Sequence, residues 1–191
     1  DGALLMSLSN KKENDLLRII QVGANDGNTG DYLCNFLRLY GDKITILFVE
    51  PQINLKNQLL ANTKNICKKT SYAFVAVTKC KSEKLKLYVP HEDKIPNSSL
   101  LASFDRNQVL KRFRRFSKIK DPKLNKDYSA LEVPQKTLTE LSNQWGKSPI
   151  NKKICDVLIV DAEGFDDEVI YSLDDVKKLP NLISFEWKNL T

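Results

Sequence analysis

The sequence has no apolar run of roughly 18 residues, so it offers no helix able to cross a bilayer. It has one histidine, His91, and that residue sits beside Pro90, where it reads as a surface side chain before it reads as a base. Its four cysteines, Cys34, Cys67, Cys80 and Cys155, lack the paired spacing of a metal site. Scattered thiols of this kind read as reduced and structural, which favours a cytoplasmic protein. No secretory leader is evident, and the sequons at Asn97 and Asn189 carry little weight without one. The chain begins at Asp1 and not at Met, so the native N-terminus is expected upstream. There is no internal repeat and no low-complexity segment. Also lacking is the dinucleotide fingerprint G-x-G-x-x-G. The glycines here run Gly23-x-x-x-Gly27-x-x-Gly30, and Asn25 stands where the middle glycine would admit a pyrophosphate. That spacing argues against a nucleotide-dependent oxidoreductase.

What is present is ordinary in bulk and specific in detail. With 191 residues, 41% apolar and 28% charged, the chain is expected to form one domain with a real core over 1–191. Much of the net charge of +6 comes from Arg106 to Lys126, which holds Lys111, Arg112, Arg114, Arg115, Lys118, Lys120 and Lys123. One reading is a solvated helix and loop face. The other is a contact surface for an anionic substrate or carrier. No RNA-binding motif accompanies the charge, which counts against nucleic acid.

Strand and helix patterns alternate, so a mostly parallel α/β sheet is expected. Strands are predicted over 18–22, 44–50, 72–78, 84–89, 131–133, 156–160 and 182–186. Helices are predicted over 29–40, 53–62, 105–116, 137–145 and 167–173. The helix at 137 carries a capping box, Thr137-Leu138-Thr139-Glu140. Residues 91–130 break the alternation and read as a basic insert or lid, with Phe104, Phe113 and Phe116 seating its helix.

Chemistry gathers at strand ends. The segment Ile19-Ile20-Gln21-Val22-Gly23-Ala24-Asn25-Asp26-Gly27 reads as a buried strand entering a glycine turn, where backbone can approach a ligand. Glu50 ends the second strand, a position suited to a ribose diol. Asp161 and Glu186 end two later strands. Asp26 would repel a pyrophosphate, so a cofactor with an ammonium group and no phosphate suits this turn better.

These segments resemble the FkbM-type methyltransferases. Val22-Gly23-Ala24-Asn25-Asp26-Gly27 is similar to that family's first motif, and Phe48-Val49-Glu50-Pro51 to its second-strand acidic motif. Ala76-Val77-Thr78, Val133-Pro134-Gln135-Lys136-Thr137-Leu138, Ile159-Val160-Asp161-Ala162-Glu163-Gly164 and Ile183-Ser184-Phe185-Glu186 continue the resemblance in order. It implies a Rossmann-like three-layer sandwich, the class I methyltransferase fold, and methyl transfer from S-adenosylmethionine to a hydroxyl of a sugar or natural product. By that likeness Gly23, Ala24, Asn25 and Gly27 line the methionine part of the cofactor, Glu50 binds the ribose hydroxyls, and Ala76 and Val77 lie near the adenine. Asp161 and Glu163 would sit where donor and acceptor meet, with Asp161 the better base because it leaves a central strand. Glu163 has an alternative as a cap of the next turn or helix.

Other readings stay open. Asp161 with Glu186 could take a divalent cation, a less favoured arrangement than two carboxylates without metal. Trp187 could pack on substrate, but core or edge packing suits it better. The fold normally closes with two further antiparallel strands, whereas this chain stops at Thr191. A truncated C-terminus or an open sheet edge is therefore expected. A non-catalytic cofactor- or partner-binding module that keeps the fold is the competing class.

Overall fold

The computed structural model describes residues 2–29, 33–79, 85–146, 153–173 and 179–185. Its centre is a five-stranded sheet in which every neighbouring pair is parallel. In chain order its strands are β1 (Leu17–Val22), β2 (Ile44–Val49), β3 (Lys69–Ala73), β8 (Val157–Val160) and β9 (Leu182–Phe185), and in space they run β3-β2-β1-β8-β9. Between the third and fourth of these come β4 (Ala76–Val77), β5 (Leu85–Pro90), β6 (Tyr128–Val133) and β7 (Gln135–Lys136). The helices are α1 (Gly2–Ser9), α2 (Leu33–Tyr40), α3 (Lys56–Thr63), α4 (Arg106–Phe116), α5 (Leu138–Trp145) and α6 (Asp166–Tyr171).

Alternation along the central strands decides the layers. Leu17, Ile19, Ile44, Ile46, Phe48, Val157 and Ile159 pack with side chains of α1, α2 and α3. Ile20, Val22, Leu47, Val49, Leu158 and Val160 pack on the opposite face with α5 and α6. Strands buried on both faces require parallel crossovers and a helix layer on each side, which is what forms. The result is the expected three-layer α/β arrangement. The Thr137 capping box is present: Glu140 N–H donates to Thr137 Oγ1 at 3.2 Å, and Thr137 N–H donates to Glu140 Oε2 at 3.0 Å.

Two sequence expectations need correction. The strand expected over 72–78 is two pieces. Lys69–Ala73 is the sheet-edge strand beside β2, while Ala76–Val77 leaves the sheet and pairs with Gln135–Lys136. Val75 and Val77 stay buried on the α5/α6 face, so the apolar alternation runs on past the real strand end. The strand expected at 131 starts at Tyr128 and pairs antiparallel with β5. Its first residues follow a polar turn closed by the buried Asp127, whose carboxylate accepts the Lys123 N–H at 2.7 Å, and so resemble loop in sequence. Helix α1 is a finding of the structure, since Leu4 is its only buried residue and no periodic face announces it.

Gly30, Cys80, Glu186, Trp187 and Asn189 lie outside the described residues. Among those described, no strand follows β9 and no helix is long and apolar enough to cross a membrane. Cys34 and Cys155 are buried, and Cys67 is half-buried. Burial pushes the Cys67 thiol up to about 12 and the Cys155 thiol higher still.

Candidate functional site

The strand order reverses at β1, with β2 on one side and β8 on the other, and a crevice at the carboxyl ends is expected there. The backbone knits those ends together. Gly23 and Ala24 N–H donate to Val49 O at 2.9 and 3.1 Å, Glu50 N–H to Ala73 O at 3.0 Å, and Asp161 N–H to Val22 O at 2.9 Å. Above them lies a cavity of about 540 Å³, counting its open mouth. It is lined from below by Gly23, Asn25, Glu50, Asp161 and Glu163, and on one wall by Val75, Ala76, Val77 and Leu87.

Gly23, Asn25, Glu50, Ala76, Val77, Asp161 and Glu163 are therefore brought together, as the sequence reading grouped them. Ala24 and Gly27 are not on the cavity wall. Ala24 is buried in the core on the α2 face. Gly27 has φ +72, and a side chain there would strike Thr63 and Leu59 of α3. Gly23 has φ +83, and a Cβ would fall on the carbonyl oxygen of Asp161. The close approach that these glycines permit is thus between protein segments. Left-handed backbone at both positions also disfavours any other residue.

Glu50 is 3% exposed, and its carboxylate is fixed by two backbone donors. Asn25 N–H reaches Oε2 and Gln52 N–H reaches Oε1, each at 2.8 Å. Burial raises its pKa to about 7, with those hydrogen bonds pulling the other way. Each carboxylate oxygen keeps a lone pair for a further donor. Asp26 turns away from this role. Partial burial would raise its pKa, but bonds from the Thr29 hydroxyl and from the Thr29 and Asn28 N–H groups outweigh that and lower it. Its carboxylate closes the turn that leads toward α2.

Asn25 has φ +48 and Glu163 has φ +53. Asn tolerates this region, but Glu does so only when its surroundings hold it there, and such residues cluster at functional sites. What holds Glu163 comes from the insert. Arg112 of α4 donates to Glu163 Oε2 at 2.7 Å and to Ala102 O at 3.1 Å. The strap between β5 and α4 clasps the rest of the rim. Gln52 Nε2 donates to Ser99 O at 3.0 Å, Ser99 Oγ donates to Asn25 Oδ1 at 3.3 Å, and the rings of Phe104 and Phe165 lie 4.6 Å apart. Glu163 thus serves an ion pair across the cavity mouth.

Gln52, Ser99, Phe104, Arg112 and Phe165 were not singled out as site residues from sequence, because none belongs to a strand-end motif. The available signals were Gln52's position two residues beyond Glu50, Phe165's place directly after Gly164, and Arg112's membership of the basic segment. Gln52 Oε1 is buried without a hydrogen-bond partner, although the residue lines the cavity. An orphaned acceptor beside a buried carboxylate fits a ligand that carries hydroxyl or amine donors. The neighbouring apolar wall fits a flat base. Among the described residues, no three His, Cys, Asp or Glu side chains gather as a metal centre would require.

A family model described as the Methyltransferase FkbM domain matches residues 21–191 of the chain. No curated protein and no solved structure matches it.

Proposed function

Since the chain belongs to the FkbM methyltransferase family, we propose that it is an S-adenosylmethionine-dependent O-methyltransferase acting on a hydroxyl of a small molecule such as a sugar or natural product. The observation that carries this reading is Glu50, a buried carboxylate at the end of β2 with both oxygens oriented by backbone N–H groups, beside the orphaned Gln52 Oε1. Glu50 and Gln52 would hold the cofactor's ribose hydroxyls and base amine, and Ala76 and Val77 would wall the base. Gly23 and Asn25 would border the methionine part.

The bound cofactor supplies an electrophilic methyl group. The chain's own residues then have two tasks. They hold the acceptor hydroxyl in line with that methyl, and they take up its proton. Asp161 is the proton acceptor in this reading. Glu163, fixed by Arg112, positions the acceptor at the mouth. The insert over 91–130 is the lid that excludes water.

Calorimetric titration of S-adenosylhomocysteine tests the cofactor site. Wild type binds with micromolar affinity, and Glu50→Ala weakens binding by at least roughly tenfold, about 1.4 kcal/mol. Equal affinity in the two proteins removes Glu50 from the site. Tight binding of the cofactor with no transfer to any acceptor would favour the non-catalytic module.

A further inference from the structure

The chain's positive charge is concentrated in one place. Residues 106–126 hold nine Lys and Arg residues against one carboxylate, Asp121, a balance of +8 in a chain whose total is +6. Everything outside that segment is therefore slightly acidic. The structure displays this charge on a built platform. On α4, Val109 and Phe113 are fully buried, with the Phe113 ring 6.1 Å from the buried Tyr128. Lys111, Arg114 and Arg115 occupy the opposite, exposed side of the same helix. The loop after it adds four exposed lysines. That loop is pinned by Ser117 Oγ, which donates to Phe113 O at 2.9 Å and accepts the Ile119 N–H at 3.1 Å. Its far end is tied by the buried Asp127 to Lys123 N–H.

Two large apolar side chains stand exposed within this basic region. Phe116 is 51% exposed, with the Arg115 guanidinium over its ring at 5.0 Å, and Leu124 is 47% exposed. Cations bind anionic groups of any kind, and a phenylalanine can also stack on an unpaired base, but a leucine and a phenylalanine exposed together gain little from a phosphate backbone in water. They gain by entering the boundary between headgroups and acyl chains. We propose that the outward face of α4 and the loop after it dock on a membrane surface rich in anionic lipid. Arg112, on the same helix, pairs with Glu163 of the cavity lining. This proposal does not depend on the methyl-transfer reading.

Co-sedimentation with vesicles tests it. Vesicles of phosphatidylcholine alone are compared with vesicles carrying about 30% phosphatidylglycerol, at about 0.1 M salt. Wild type is expected to pellet with the anionic vesicles and to remain in solution with the neutral ones. The triple variant K111E/R114E/R115E should lose roughly tenfold or more in binding. The double variant F116S/L124S, which keeps every charge, should lose several-fold. Thermal unfolding and S-adenosylhomocysteine titration of both variants check that the frame is intact, because none of these residues touches the cavity. The proposal is overturned if wild type ignores anionic vesicles. It is also overturned if F116S/L124S binds as well as wild type, or if a single-stranded RNA oligonucleotide displaces the vesicles at equal charge concentration. That last result would identify nucleic acid as the partner.

Discussion

Strands β1, β2 and β8 are buried almost throughout, whereas β5, the strap and α4 bury only isolated side chains. Both regions border the same cavity. The sheet end holds its residues by parallel hydrogen bonding and a core on each face. The insert has a small core of its own around Ile95, Val109, Phe113 and Tyr128, and its Ala102 joins Ala76, Leu87 and Val133 in a second cluster. It meets the sheet end near the cavity through a few polar bonds, one ring pair and one ion pair. The difference separates two tasks. In the proposed reading the rigid sheet end fixes the cofactor and the insert opens and closes over it, because low-stability segments are the ones that move.

The comparison would break most clearly at Phe113. Phe113→Ala removes a fully buried ring from the insert core, at a cost of about 3–5 kcal/mol. Hydrogen exchange should then accelerate over 106–133 while amides of β1 and β2 keep their protection. Equal loss in both regions would show that insert and sheet unfold as one unit.

The next effect belongs to the sheet end. Glu50 has its pKa raised from 4.5 to about 7, so the folded state prefers the protonated carboxyl. Its contribution to stability is full below pH 4.5 and is lost as pH rises through 7. The gap corresponds to about 3 kcal/mol at 1.36 kcal/mol per pH unit. Denaturant unfolding of wild type and Glu50→Gln, measured from pH 5 to 8, should show the variant gaining stability relative to wild type by that order. A constant difference across this range would contradict the raised pKa. Phe113→Ala should leave the same profile unchanged.

The smallest effect lies at the junction. Arg112 and Glu163 are both partly shielded, with side chains 14% and 37% exposed. A double-mutant cycle with Arg112→Ala and Glu163→Gln should give a coupling of about 1 kcal/mol. Arg112→Ala should also speed S-adenosylhomocysteine release in stopped-flow measurements, because the lid loses its hold on the rim. Unchanged release with normal affinity would mean that the insert does not gate the cavity.

Much of the site frame was legible in sequence because it rests on local patterns. Gly23, Glu50 and Asp161 each follow a run of apolar residues, and such runs mark buried strands with their functional ends. The capping box at Thr137 is equally local. The insert was legible only as a basic, phenylalanine-bearing helix. Its attachment was not, since Arg112 and Glu163 lie 51 residues apart and no periodicity links them. The break after Ala73 was hidden for a related reason. Val75 and Val77 keep the alternation of a strand while packing outside the sheet.

By itself, the sequence determined the alternating strands and helices, the buried carboxyl ends and the concentration of charge in one segment, since each follows from side-chain type and short-range spacing. Tertiary structure alone decided that Gly23 makes room for the Asp161 carbonyl, that Gly27 faces α3, and that Arg112 closes on Glu163. Those outcomes depend on which distant segments share a volume, and local preference carries no record of that.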